Sequence, residues 1–377
     1  MNRCGYICCF LSVVWTIVSA GAPVALGAER LVRVATLQIP GASADHPFKD
    51  FDLSFVDAKR DLYLLSDISN KSIDAFRAST GAFLFRVGGF FGHVPPGYSH
   101  VGPTGVITVG EEIWAADAPS TVKVIGLNTR RVIDAISTGG SARADTLSYD
   151  ERDQMVLVTN PDDIPRFVTL VSAKPGHKVL GRIEFPHATG ELEASAWWPA
   201  TGFFYLLVRE LDGDPTKGAL VAIDPVAKSV VSTFAVPECR PTGVAIGEEE
   251  EGLLGCLGPE PRMNHAFPAQ TLIMNLRTGV ISARINGVTG EDQVWFNPGD
   301  NRYYVAAQGN RTGPILAAIS ADKSHSVLTV PTQPWAHSVA ADSTTNQVFV
   351  PFGPKPSDRD CRSGCVAVFA VMNDGKD

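Results

Sequence analysis

Seven positions along the chain carry residue types suited to binding a cation or moving a proton: Asp52, Thr104, Asp145, Glu193, Thr242, Asp292 and His337. The interval from Asp52 to His337, shared among six steps, is about 47.5 residues a step. Carboxylates brought to one point repel each other unless a cation joins them or their pKa values rise. Asp52, Asp145, Glu193, Asp292 and His337 are therefore candidate ligands of a divalent metal. Oxygen donors with a single imidazole suit Ca²⁺, Mg²⁺, Mn²⁺ or Zn²⁺. His337 and Glu193 are candidate proton-transfer groups because they would stand beside the other acids if the seven positions converge, and His100 is a third because its loop could cover the channel mouth and bring an acid/base near them. The competing expectation is structural: the acids pair with Arg143 and Arg240 or accept bonds from backbone N–H groups.

The elements that would bring these residues together recur with them. Each position comes just before a short apolar segment, then a tight polar turn, then a second apolar segment. Examples are Leu53-Ser-Phe-Val-Asp57 with Leu62-Tyr-Leu-Leu65, and Gly105-Val-Ile-Thr-Val109 with Ile113-Trp-Ala-Ala116. Later copies include Ser195-Ala-Trp-Trp198 with Phe204-Tyr-Leu-Leu207, and Val294-Trp-Phe296 with Tyr303-Tyr-Val-Ala306. A third segment follows, as in Val122-Lys-Val-Ile-Gly-Leu-Asn128-Thr129, and then a fourth, as in Val132-Ile-Asp-Ala-Ile136. Short β-branched and aromatic runs bounded by Gly, Pro, Asn and Asp are strands. Four strands per unit and seven units predict an all-β, seven-bladed β-propeller. The seventh unit lacks a fourth strand, and an unassigned strand, Arg30-Leu-Val-Arg-Val-Ala-Thr-Leu-Gln-Ile39, precedes the first. The N-terminal strand is thus expected to complete the last blade and close the ring. A β-sandwich or solenoid would leave that coincidence without a reason.

Composition agrees. In 377 residues, 45% are hydrophobic and 19% charged, with 35 Gly and 26 Pro. That balance excludes a disordered chain and disfavours a helical one. The net charge of -8, with no basic run, argues against a nucleic-acid partner. Met1-Asn2-Arg3, the apolar run from Tyr6 to Ala20 and the small residues after it have the layout of a secretory signal peptide, read as residues 1–28 with cleavage after Leu26-Gly27-Ala28. Residues 29–377 would form one propeller domain, secreted or periplasmic, with no stable membrane span after cleavage. The four cysteines outside the signal, Cys239, Cys256, Cys361 and Cys365, fit disulfides in an oxidising compartment. Cys239 and Cys256 flank a hairpin and are the natural pair, adding about 3 kcal/mol by chain entropy. Cys361 and Cys365 would close a small loop.

Units such as Ile113-Trp-Ala-Ala-Asp117 followed by Val122-Lys-Val-Ile-Gly-Leu-Asn128-Thr129 make the chain resemble the exported seven-bladed propellers of the YVTN and NHL repeat type. Leu157-Val-Thr-Asn160 is the closest match to the tetrapeptide itself. The resemblance implies the fold and leaves several activities open. One is a metal-assisted lactone hydrolase or lyase, since propellers with those activities bind a cation or a His/Glu pair at the channel mouth. The alternatives are a non-catalytic binding or scaffold module, and an accessory subunit of a periplasmic dehydrogenase. The last rests on a Cys pair across one hairpin, similar to that in the heavy chains of quinoprotein amine dehydrogenases.

The loops after each second strand, at 209–218, 257–270, 308–314 and 352–364, are long, as is the first connection between blades, 87–103. In an antiparallel blade these loops leave the same face as the seven positions above. A small-molecule ligand or a partner protein is expected on that long-loop face. His93 and His100 lie in one of these loops, and His265 in another. Trp197, Trp198, Trp295 and Trp335 are expected in packing between blades, with Trp335 the first candidate among them to line a ligand pocket.

Overall fold

The second and third strands of each unit are apolar on both sides, as strands covered on both faces must be. Leu62–Asp67 is buried along its whole length, and Met155–Asn160 likewise. Outer strands alternate instead, as in Val327–Pro331, because one face meets solvent. A computed structural model describes residues 1, 28–94, 97, 99–258, 267 and 270–373. The segment read as a signal peptide, residues 1–28, therefore lies outside the described residues but for its two end positions, and so does His265.

The described residues form strands and turns and no helix. Seven four-stranded antiparallel sheets follow one another as blades 1 to 7. Their innermost strands are Ser54–Asp57, Val106–Val109, Leu147–Asp150, Leu192–Trp198, Pro241–Ile246, Glu291–Asn297 and Ala340–Ala341. Blades 1 to 6 are built in chain order. In blade 7, Glu29–Gln38 pairs antiparallel with Cys365–Asn373, from Glu29 opposite Asn373 to Gln38 opposite Cys365. The N-terminal strand thus closes the ring, as the sequence predicts. A two-stranded ribbon, Gly92–His93 with Val101–Gly102, sits in the first connection between blades. Strands of two residues carry no alternation, so the sequence gives no sign of it.

The core is divided into seven seams, one between each pair of neighbouring blades. Leu64, Ile73 and Val87 of blade 1 meet Val106, Ile113 and Ile125 of blade 2 in one seam. Tyr63, Leu65 and Phe76 meet Phe349 and Val368 of blade 7 in another. Successive residues of one strand thus serve opposite neighbours, which is the period-two rule of a strand turned into ring geometry. Both disulfides are present, Cys239–Cys256 and Cys361–Cys365. Arg33 of the closing strand bonds the Asp358 carboxylate at 2.7 Å and lies 3.8 Å from each sulfur of the second pair.

Candidate functional site

The blade axis is lined by the inner strands, and their first residues meet at the long-loop face. Two glycines allow the backbones to close up there. At Gly105 a Cβ would overlap the carbonyl oxygen of Asp145, to which the Gly105 N–H donates at 3.0 Å. At Gly243 a Cβ would stand 2.7 Å from the carbonyl oxygen of Asp292. Thr146 continues the ring by donating its hydroxyl to the Glu193 carbonyl at 3.0 Å.

The side chains at this end enclose a cavity of about 530 Å³. Asp52, Asp145, Glu193, Thr242 and Asp292 line it, five of the seven positions singled out by spacing. The structure adds Arg143, Glu191 and Arg209 to the lining. Arg143 stands between two acids, 3.2 Å from Asp145 and 3.2 Å from Asp162. Arg209 does the same with Glu191, at 2.6 Å, and Glu193. The third cation, His337, lies 3.7 Å from Asp52. Its Nδ1–H donates to the Trp335 carbonyl at 2.7 Å, and its ring stacks on Phe51. The structural expectation of acid–arginine pairing therefore holds for Arg143. Arg240 donates to the Gly258 carbonyl at 3.2 Å.

His337 backs the ring and does not line the cavity. His100 is exposed, with its ring centroid 6.3 Å from that of Phe91, and is not a lining residue either. The two imidazoles proposed for proton transfer are thus not brought into the cavity with Glu193. Trp335 is 72% exposed, outside the cavity where the sequence expected it. The tryptophans that do line it are Trp197 and Trp295, together with Phe55, Tyr149 and Phe296. These aromatics sit further along the inner strands than the acids, so the cavity runs from a charged end to an aromatic end. Trp197 and Trp295 also pack against the seams between blades, as the sequence expects; their second role in the lining is not foreseen, because a strand residue's two faces look alike until the axis is known.

Six carboxylates (Asp52, Asp145, Asp162, Glu191, Glu193, Asp292) face three cations here, with Arg166 further out. The excess of acid is expressed in proton affinity. Burial raises Glu193 well above the carboxylate range against the pull of Arg209, and Glu191 and Asp292 add to the rise. Burial likewise raises Asp145 and Asp292, opposed by Arg143 and His337 respectively. Glu191 goes the other way: burial would raise it, but Arg209 and Arg143 outweigh burial and lower it. For His337 burial opposes the charge, yet Asp52, Asp292 and the Trp335 carbonyl push it up to about 9. Among the described residues no group of three or more His, Cys, Asp or Glu is arranged to hold a metal ion.

Every raised group in this set binds protons in the folded chain that the unfolded chain has released. Stability is therefore expected to fall as pH rises from about 5 through about 9, the reverse of ordinary acid denaturation. The His337 contribution is full below about 6.5 and is lost as pH passes 9; it amounts to about 3 kcal/mol at most. Urea midpoints at pH 5.5, 7.5 and 9.5 check this, and His337→Gln should flatten the upper part of the fall. A flat or rising profile would remove the acid excess from the ring.

Comparison with known proteins bears on the fold alone. No protein-family model matches the chain, and no curated protein matches it. Among solved structures, the WD40 domain of Neurospora crassa Pan2 superposes with a TM-score of 0.63 at 10% identity, covering 90% of this chain and 95% of that one.

Proposed function

We propose that the chain is an exported propeller of the YVTN/NHL-repeat kind that binds a small ligand in the cavity at the channel mouth and does not chemically transform it. The observation that carries this reading is the cavity itself. Its volume of about 530 Å³ is that of a small-molecule site, with a few charged groups at one end and aromatic walls at the other. Binding is favoured over catalysis because the proton-transfer candidates are committed or remote. Glu193 is clamped by Arg209, His337 stands behind the ring, and His100 is on the surface. Export is supported by the pairing of all four cysteines beyond the signal segment. The metal-assisted hydrolase or lyase is the second reading, favoured by Asp52 and Asp292, two lining acids that no arginine clamps. The accessory-subunit reading rests on one Cys pair and is not adopted.

Ser195 is small and lines the cavity, so Ser195→Trp should fill it. A fluorescence and calorimetric screen of the purified mature protein against small molecules should yield ligands that this variant no longer binds. Undiminished binding by a folded Ser195→Trp protein would place the site elsewhere. Metal analysis of the same sample separates the second reading: a stoichiometric divalent ion lost in Asp52→Asn and Asp292→Asn would replace simple ligand binding with a metal centre.

A further inference from the structure

The three cations of the ring do not hold their acids equally. Arg143 and Arg209 each contact two carboxylates within 3.2 Å. His337 approaches Asp52 only to 3.7 Å. Among the described residues no hydrogen bond or ion pair within 4 Å reaches the Asp292 carboxylate, although it lies deep in the ring and keeps its partial exposure toward the cavity. A part-buried carboxylate with no direct hydrogen bond or contact ion pair is costly even with His337, Arg209 and Arg143 in the neighbourhood, and the cost is reduced by a charge that enters with the ligand. From this end the aromatic wall continues directly: Phe55 meets Trp295 edge to face at 5.5 Å, and Trp197 and Tyr149 lie on the same lining.

Resting on the small-ligand reading above, we propose that the ligand is an organic cation, its ammonium or guanidinium head between Asp52 and Asp292 and its apolar body against Phe55, Trp295, Trp197 and Tyr149. Aromatic faces attract such cations as well as their carbon skeletons. A hydrated metal ion would meet only two lining carboxylates free of arginine and would leave the aromatic wall unused. The charged neighbours of His337 are Asp52 and Asp292, and these acids in turn interact with Arg143 and Arg209; Phe51 and the Trp335 carbonyl complete its surroundings. A ligand cation and the proton on His337 compete for the same two acids, so cation binding is linked to proton release.

The test uses phenethylamine, phenethyl alcohol, phenylacetate and calcium chloride as probes of the mature protein at pH 7. Quenching of Trp197 and Trp295 and heat of binding are the readouts. The amine should bind at least tenfold tighter than the alcohol, with phenylacetate weaker still. Asp292→Asn and Asp52→Asn should each lose at least tenfold for the amine while melting within a few degrees of the parent. Benzyltrimethylammonium, whose charge does not titrate, should bind more tightly at pH 9.5 than at pH 7, and His337→Gln should reduce that rise, the remainder coming from the raised acids of the ring. Equal binding of alcohol and amine, or an unchanged affinity in folded Asp292→Asn, overturns the cationic head and leaves the small-ligand reading standing. Binding of calcium alone overturns it in favour of a metal. Binding of none of the four overturns it outright, and the Ser195→Trp comparison then decides the broader reading separately.

Discussion

Arg209→Met is expected to destabilise the fold by about 3 kcal/mol, because it takes the cation from the buried Glu193 and the part-buried Glu191 rather than removing an ordinary surface pair. Glu191 stands 2.6 Å from one guanidinium nitrogen, Glu193 contacts another, and the arginine is largely shielded from solvent. Taking the charge away leaves Glu191, whose low pKa depends on Arg209, to ionise against its neighbours or take up a proton. Methionine keeps much of the stem's packing, so the loss reports charge more than volume. The double variant Arg209→Met/Glu191→Gln should recover part of the loss, since the acid that Arg209 keeps ionised is then neutral. A urea titration of the four proteins of this cycle measures the coupling. A loss below about 1 kcal/mol in the single variant would make the pair equivalent to an exposed salt bridge.

Removal of the closing strand should have a still larger effect. Without Glu29–Gln38, the strand Cys365–Asn373 becomes an open edge, and Leu31 and Leu37 vanish from the two seams flanking blade 7. The bonds of Arg33 to Asp358, Gln38 to the Asp360 carbonyl and Arg302 to Glu29 go with them. A chain beginning at Ile39 is expected to aggregate or to lose cooperative unfolding. The register supplies the control. Glu29 lies opposite Asn373, so residues 29–38 joined after Asn373 through a turn of about two to five residues would restore the same antiparallel pair. That rearranged chain should fold and melt cooperatively. If the truncated chain is as stable as the parent, the ring is not held by its terminal strand.

The frame of the site was legible because it repeats. An acid, Thr or His before each inner strand is a local pattern, and seven copies fix the face on which those residues meet. What completes the ring was not legible in the same way. Arg209 follows the second strand of blade 4 by one residue and Asp162 follows that of blade 3 by two, so each is a single occurrence with no echo in other units. Aligning the ends of the second strands would have put both on the long-loop face, but not their pairing. His337 shows the limit of extrapolation. The inner strand of blade 7 is reduced to Ala340–Ala341, and the imidazole at that position backs onto Phe51 instead of facing the axis. The aromatic end escaped notice for the opposite reason: Trp197 and Trp295 look like ordinary strand residues.

Gln293 makes the ring unequal. Its side-chain oxygen accepts from the Ser54 N–H at 3.2 Å, the Ser338 hydroxyl at 2.8 Å and the Val339 N–H at 3.1 Å, and its amide donates to the Ser54 carbonyl at 2.7 Å. Blade 6 is thereby tied to blades 7 and 1, and among the described residues blade 7 contributes nothing to the cavity lining. A bore with sevenfold symmetry could not tell one orientation of a guest about its axis from another. With one side sewn shut, the cavity has a front and a back, so this single amide gives a repetitive scaffold one fixed direction across its axis.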